Sequence, residues 1–329
     1  MDTLTHGLLG VALAALPMPR RLERPGDTPL RAALVVSVLA AELPDLDYLL
    51  PAKDAVLHTL SAHRGYSHSL LAAPVVALVA ALLGKALFRR AAFASLYARA
   101  LLSVPIAHLL PDLWTGWGTR LLLPLSDRRL ALDWTMVVDP VFTAPLLVAA
   151  LWAASRRHRF RRAMAFGIGA CALYVGLRVA FSMHLSHEVA QAYPRAASVH
   201  VFPQLLSVMR WRYVARFDAE YAAGTVALGE APVEDARHRA LPTGPIAEEL
   251  RRVPTVREAL SWARFPVVST SALDASGRRV TVADLRYHLG GKPTLSFLID
   301  VEPDGRIRNA RLERGGSAAE LVRRFRENR

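Results

Sequence analysis

Seven residues, His63-Arg64-Gly65-Tyr66-Ser67-His68-Ser69, place two imidazoles and a guanidinium directly before an apolar run over residues 70–88. Neutral imidazole is the commonest metal ligand near neutral pH. Ionisable groups at the edge of an apolar helix are costly and point to function by default. An i,i+5 pair does not share one face of an ideal helix, so the two rings converge only if a turn carries His63 and a helix start carries His68. With carboxylates from elsewhere in the chain, such a pair is the material of a hydrolytic metal centre.

Four further sets of residues supply what is missing. His108 and Asp112 are i,i+4 and lie on one face of a helix. Asp45 and Asp47 follow Pro44 in an extended or turn-like stretch, where alternate side chains can point apart, so one of them is expected as a ligand. His6 is a lone imidazole in the first apolar segment, and Asp133 and Asp139 flank Trp134. The expected ligands are His6, Asp45, His63, His68, His108 and Asp112. Arg64, Asp47 and Asp139 are the expected catalytic residues, the first stabilising charge on a phosphoryl or carbonyl oxygen, the others as base or supporting partner. Ser67 and Ser69 read as helix caps, since no Gly-x-Ser-x-Gly elbow surrounds them. His184 and His187 read as interfacial. Imidazole and carboxylate without Cys select a divalent cation, zinc first, with iron or manganese as alternatives, and six ligands leave room for one ion or two.

The elements that must position these groups are apolar runs. The chain has 329 residues, 53% of them hydrophobic, one cysteine and a formal charge of +13. That combination fits a chain whose halves differ: residues 1–185 hold long apolar runs, and residues 186–329 read as an ordinary soluble segment. Apolar segments fall at 4–16, 30–43, 70–88, 91–110, 137–154 and 163–183. A bilayer core needs roughly 20 apolar residues in a helix, which the third, fifth and sixth approach best, while Arg99 and Pro105 weaken the fourth. The first run has no basic leader and reads as a retained helix. Lone Cys171 permits no internal disulfide, and no nucleic-acid recognition motif appears, so the arginine excess belongs to topology.

Cytoplasmic loops are enriched in Lys and Arg. Setting Arg20-Arg21-Arg24, Arg89-Arg90 and the Arg156–Arg162 cluster on the cytoplasmic side puts His6, Asp45, Asp47, His63, His68, His108, Asp112 and Asp139 together on the opposite side. The C-terminal part falls on that side as well. Its β-branched and aromatic alternation predicts strands at 197–202, 211–217, 225–228, 280–287 and 294–301, and Asp304-Gly305 predicts a hairpin into 307–312. One or two helices broken at Pro254 are expected over 244–261, and a short final helix over 318–326. The expected fold is mainly α: a polytopic helical membrane domain followed by a small α+β extramembrane domain.

The motifs Asp2-x-x-Thr5-His6-x-x-x-Gly10, Pro44-Asp45-x-Asp47, His63-Arg64-x-x-Ser67-His68-Ser69 and His108-x-x-x-Asp112-x-Trp114-Thr115-x-x-Gly118-Thr119 together resemble the membrane-bound metal-dependent hydrolases of the YdjM type. Asp133-Trp134 and Asp139-Pro140 fit as well, and Trp211-Arg212-Tyr213 and Asp284-Leu285-Arg286-Tyr287 resemble the extra domain of some members. The resemblance implies metal-dependent hydrolysis in a bacterial-type inner (cytoplasmic) membrane crossed several times. The ligand order is distantly similar to that of zinc-dependent phospholipases C, which implies that Asp112 bridges two ions. A site at headgroup depth leads us to expect a membrane lipid or lipid-linked substrate, cleaved at a phosphoester or ester by metal-activated water. The rival expectations are a metal-stabilised membrane scaffold, with a closed site, and an ion or metal transporter, with polar groups spread through the membrane depth.

Overall fold

The structure is a computed structural model, and it describes residues 1–17, 28–49, 54–204, 207–241, 245–274 and 277–315. The arginines at 20, 21 and 24 and the expected final helix at 318–326 lie outside the described residues. The chain divides into two compact units, one of residues 1–50 and 63–179, the other of residues 51–62 and 180–329.

The first unit is helical. Helix α1 (Thr3–Ala14) starts at Asp2, whose carboxylate accepts from the Thr5 amide at 3.1 Å and the Thr5 hydroxyl at 2.7 Å. This cap fixes the helix phase and puts His6 on its buried face. Helix α2 (Leu30–Glu42) ends at Pro44 and passes into a 3-10 turn, Leu43–Leu49, that carries Asp45 and Asp47. Helix α3 (Ala55–Ser61) belongs to the second unit. A 3-10 turn over Tyr66–His68 precedes α4 (Ala73–Leu87). Helix α5 (Phe93–Ser103) continues through a π-helical turn, Val104–Leu109, into α6 (Leu110–Trp114). Helix α7 (Pro140–Ser155) begins at Asp139, and α8 (Phe160–Ala192) runs on into the second unit.

Small residues let these helices approach. Ala32, Val36 and Ala40 meet Ala73, Ala77, Ala80 and Ala81, with Leu96 and Ala100 behind them. A Cβ on Gly10 would come within 2.8 Å of the Ser37 carbonyl oxygen, so the α1–α2 contact requires glycine there. Where apolar burial gives little driving force, close backbone packing of this kind holds helices together. Arg99, which weakened the fourth run in sequence, is buried and donates to the carbonyls of Ala14 and Leu16, both at 3.2 Å. It closes the otherwise unsatisfied C-terminal end of α1.

The span assignment changes accordingly. Among the described residues, two helices are long and apolar enough to cross a membrane, Phe93–Trp114 and Phe160–Ala192. The third run qualifies only as a bent pair, Val56–His68 with Ala73–Leu87, at 77°. The fifth run gives a helix of 16 residues, because Pro140 fixes its first turn and the arginine-rich stretch follows its last. The fourth run, expected to be the weaker span, is one of the two long ones, since the π turn absorbs Pro105 without ending the helix.

The second unit is α+β. Strands β1 (Ser198–Pro203), β2 (Arg210–Arg216), β3 (Glu220–Ala227) and β4 (Val233–Arg239) form an antiparallel meander. Helices α9 (Pro245–Arg252) and α10 (Pro254–Trp262) follow and part at Pro254 as expected. Strands β5 (Pro266–Asp274) and β6 (Gly277–Asp284) lead to a short pair, β7 (His288–Leu289) and β8 (Lys292–Pro293), and then to the β9 (Leu295–Val301) and β10 (Ile307–Arg314) hairpin. The second sheet has the order β10-β9-β6-β5. Strands β4 and β5 and helix α3 had no clear sequence signal: β4 is a run of charged residues with an exposed pattern, and it is strand because β3 offers it an edge.

Trp211, Tyr213, Val201 and Val226 pack on Leu185 and Val189 of α8. Two ion pairs brace this unit, one half-buried and one buried. Arg212 makes a two-point contact with Asp235 at 2.9 and 3.2 Å and donates to the Leu285 carbonyl at 2.6 Å. Arg286 donates to Asp284 at 2.8 Å and lies 4.9 Å over the Trp262 ring. The two motifs that resembled an extra domain therefore act as internal struts of this unit.

His288 is buried beside these struts, and among the described residues neither ring nitrogen has a hydrogen-bond partner. Burial, with Arg212 and His238 nearby, pushes its pKa down to about 4. It is neutral in the native state and protonates more readily when unfolded, so its contribution is complete above pH about 6.5 and is lost as pH falls toward 4. Thermal unfolding of the full chain at pH 7 and 4.5 should reveal a loss of up to about 3 kcal/mol. His288→Phe should flatten that slope, and an unchanged slope in the variant would exclude this source.

Candidate metal centre

Each of the three central histidines has one ring nitrogen assigned by the acceptor it faces. His6 Nδ1 lies 2.8 Å from the Ala107 carbonyl. His108 Nδ1 lies 2.6 Å from the Ala41 carbonyl. A carbonyl only accepts, so both Nδ1 atoms carry protons and both Nε2 atoms present lone pairs. His68 is fixed by a relay: Ser67 donates to Asp47 Oδ2 at 2.6 Å, so its hydroxyl oxygen accepts from His68 Nδ1 at 2.9 Å. The third Nε2 is therefore a lone pair as well. Outer acceptors of this kind fix tautomer and ring direction in metal-binding histidines.

The backbone supplies these acceptors for local reasons. Pro111 has no N–H, so the α-helical partner of the Ala107 carbonyl is missing, and that carbonyl turns to His6. Ala41 is within the last four residues of α2, where carbonyls lack intrahelical partners, and it accepts from His108. Neither acceptor is visible in a reading of side chains alone; the only sequence signals are the prolines at 44 and 111.

The lone pairs converge. His68 Nε2 and His108 Nε2 are 2.9 Å apart, and Asp45 Oδ1 lies 3.1 Å from the first and 3.5 Å from the second. Asp112 Oδ2 is 3.5 Å from His68 Nε2 and 3.8 Å from His108 Nε2, and its Oδ1 is 3.4 Å from His6 Nε2. Two lone pairs at 2.9 Å repel unless a cation lies between them. Ligand atoms about 2.0–2.2 Å from one ion are themselves roughly 3 Å apart. His6 Nε2 and Asp112 Oδ2 are buried and, among the described residues, have no hydrogen-bond partner. The donor set therefore fits a divalent cation of the zinc class on its chemistry and on its orphaned atoms.

Three linked groups can hold an ion: His6, His108 and Asp112; Asp45, His68 and His108; Asp47, His63 and His68. His108 and His68 are each shared by two groups, so all six expected ligands lie in one connected cluster. Asp45 and Asp47 both enter it, where sequence had allowed one. The 3-10 turn brings both carboxylates round, whereas an extended chain would have separated them. In the present geometry Asp47 accepts from His63 Nδ1 at 2.9 Å and from Ser67. Ser67 is thus part of the site and not a helix cap, while Ser69 does accept from the Ala72 amide at 3.1 Å.

Arg64 is buried, and its guanidinium meets Asp112 Oδ1 at 2.9 Å and the Thr115 hydroxyl at 2.9 Å. Its backbone is left-handed, with φ of 58°, a conformation unusual for a side chain of this size. The Met1 amino group also lies against Asp112 Oδ1. Asp139 is not in any of the three groups. It caps α7 through the Phe142 amide at 3.2 Å and accepts from the Tyr174 hydroxyl at 3.0 Å. Asp-Pro at a helix start is a cap followed by a residue suited to the first turn, which accounts for Asp139 without chemistry. Asp133 is also outside the groups. His184 and His187 sit on α8 and contact Glu188 and Gln191. Thr115 entered the sequence reading only as part of the family motif, with no role of its own, and Glu42 was given none; the latter lies at the end of α2, its Oε1 2.9 Å from where a Cβ on Gly7 would stand.

Fold and site together define a protein with a candidate metal centre buried among apolar helices, joined to an α+β unit. The comparisons bear on the helical part, as a membrane protein. Residues 1–185 match the family model described as YdjM inner membrane protein, and the chain belongs to that family. It is also similar to the uncharacterized protein YfhP of Bacillus subtilis (strain 168), at 26% identity over 153 residues. That match spans 46% of this chain and 46% of the relative, under half the length of each. No solved structure matches the chain.

The relay yields a test at a residue that does not face the three lone pairs. Ser67→Ala removes the acceptor that fixes the His68 tautomer and should weaken divalent-metal affinity by about tenfold or more. Competition against a metallochromic chelator reads this directly. Affinity equal to that of the parent would mean that the relay does not position His68.

Proposed function

We propose that the chain is a membrane-bound metal-dependent hydrolase acting on a phosphoester or ester of a lipid or lipid-linked substrate. The observation that carries this reading is the set of three inward Nε2 lone pairs with Asp45 and Asp112 at ligand spacing. His6, His68, His108, Asp45 and Asp112 would hold the cation, zinc being the first choice, with His63 and Asp47 available to a second ion. When bound, the cation supplies Lewis-acid polarisation of the scissile group and activation of water. Ala41, Ala107 and the Ser67–Asp47 relay keep each imidazole in the tautomer that presents its lone pair. Arg64 holds Asp112 in place and lowers the cost of keeping that carboxylate ionised in an apolar setting.

The substrate class follows from the rim. Asp45, with its side chain 18% exposed, is the open edge of the cluster. Leu46, Tyr48 and Leu49 beside it in sequence, and Tyr66, Leu70 and Leu71 beside His68, are all exposed. Exposed apolar and aromatic side chains beside buried polar ligands suit a ligand with an acyl or polyprenyl part and a polar head. The positive-inside pattern supports a multi-pass arrangement with this rim and the α+β unit on the non-cytoplasmic side. Asp139, bound up as a helix cap, takes no part in the proposal. Burial of every other ligand also suits the rival reading, a closed metal site that only stabilises the helices.

Metal analysis of the purified full chain should find a divalent transition metal at one or two per molecule. His68→Ala and His108→Ala should each lose most of it. Phospholipids and lipid-linked phosphates should be hydrolysed by the metal-loaded protein and not after chelation. Full metal content in both variants would remove the centre. Metal binding without turnover of any lipid phosphoester or ester, coupled with a lowered melting temperature on chelation, would favour the structural role.

A further inference from the structure

The α+β unit contains a groove of about 480 Å³ lined by Arg216, Arg251, Arg257 and Arg264. The four come from separate places in the fold. Arg216 ends β2 and faces Tyr221 of β3 in register. Arg251 is in the last turn of α9. Arg257 lies on the face of α10 that also carries Leu260 and Ser261, at i+3 and i+4. Arg264 follows that helix; its backbone amide donates to Asp284 at 2.6 Å, and its guanidinium lies 5.4 Å over Phe202 and 5.8 Å over Phe265. The stacking and the amide contact hold this arginine in place before any ligand arrives.

A solvated basic face spreads its charges; here they converge on one concavity. The single carboxylate lining it is Asp218. Among the described residues, Arg216, Arg251 and Arg257 make no ion pair with a carboxylate, although other arginines of the unit do, as with Arg212 and Asp235, Arg279 and Asp300, and Arg237 and Glu220. Four like charges around a groove repel one another, and an anion between them turns that repulsion into attraction. Guanidinium groups match the planar oxygen edges of phosphate with two parallel N–H···O contacts. Tyr221, Leu260 and Pro266 add less polar surface beside the cations, and the volume is that of a small-molecule site.

We propose that this groove binds a phosphate-bearing ligand, either a soluble phosphoester or the headgroup of an anionic phospholipid. The site lies wholly within the α+β unit and does not depend on the metal centre. It gives that unit a recognition role separate from chemistry at the histidine cluster.

The full chain in a neutral detergent, stripped of metal so that the histidine cluster cannot contribute, is titrated calorimetrically with inorganic pyrophosphate, short-chain phosphatidylglycerol and short-chain phosphatidylcholine. Pyrophosphate or phosphatidylglycerol should bind, phosphatidylcholine much less, and affinity should fall with salt. Binding of pyrophosphate assigns a soluble phosphoester, and binding of phosphatidylglycerol alone assigns a lipid headgroup. Arg216→Ala with Arg257→Ala should weaken the binding at least tenfold, while Arg306→Ala, which removes an exposed charge from the β9–β10 hairpin, should leave it unchanged. No binding of either anionic probe, equal affinity in the double variant, or equal loss in Arg306→Ala would each overturn the proposal.

Discussion

Each central imidazole gives its only N–H to an acceptor of the protein, and this constraint organises the first unit. Ala107, Ala41 and the Ser67 hydroxyl take the three protons, so the three remaining lone pairs turn toward one another and toward two carboxylates. In an apolar interior such a set is unfavourable by itself and becomes favourable around a cation. The helices that supply these groups are kept in register by close contacts between small residues. The Gly10 approach to Ser37 brings α1 against α2, and the alanine-lined α2–α4 contact brings the chain after His68 against them.

Helix irregularities carry much of this design. Prolines at 44 and 111 would be defects in a bundle built only for stability. Here one ends α2 so that two aspartates curl toward the histidines, and the other leaves a carbonyl available to orient His6. The π turn at Val104–Leu109 sits beside them and contains His108 itself. Arg64 in a left-handed conformation is of the same kind: a locally unfavourable backbone that the surrounding contacts hold at the candidate site. The same economy appears in Arg99, whose charge closes the end of another helix.

The α+β unit obeys different rules. Arg212 with Asp235 and Arg286 with Asp284 act as internal struts, while Arg216, Arg251, Arg257 and Arg264 line one groove. A motif that resembles a family feature is therefore not by itself a site. Asp284-Leu285-Arg286-Tyr287 and Asp139-Pro140 both matched such features, and both turn out to hold backbone in place. The local roles of these carboxylates, a strut and a helix cap, need only a few neighbouring residues, which is why the same short patterns serve structure as readily as chemistry.

The amino-acid sequence alone pointed to the candidate ligand types, to the six candidate residues that the fold gathers into one cluster and to the two-part character of the chain, because residue chemistry and apolar runs are local properties. It also located most strands and the break at Pro254, whose signals lie within a few residues. It did not reveal the acceptors that orient the histidines, the pairing of Ser67 with Asp47 and His68, the engagement of Arg64 by Asp112, or which apolar runs become long helices. Those depend on contacts across as many as about a hundred residues, His6 with Ala107 being the plainest case. Only the folded backbone decides which carbonyl is left without a partner and which side chain lies close enough to take it.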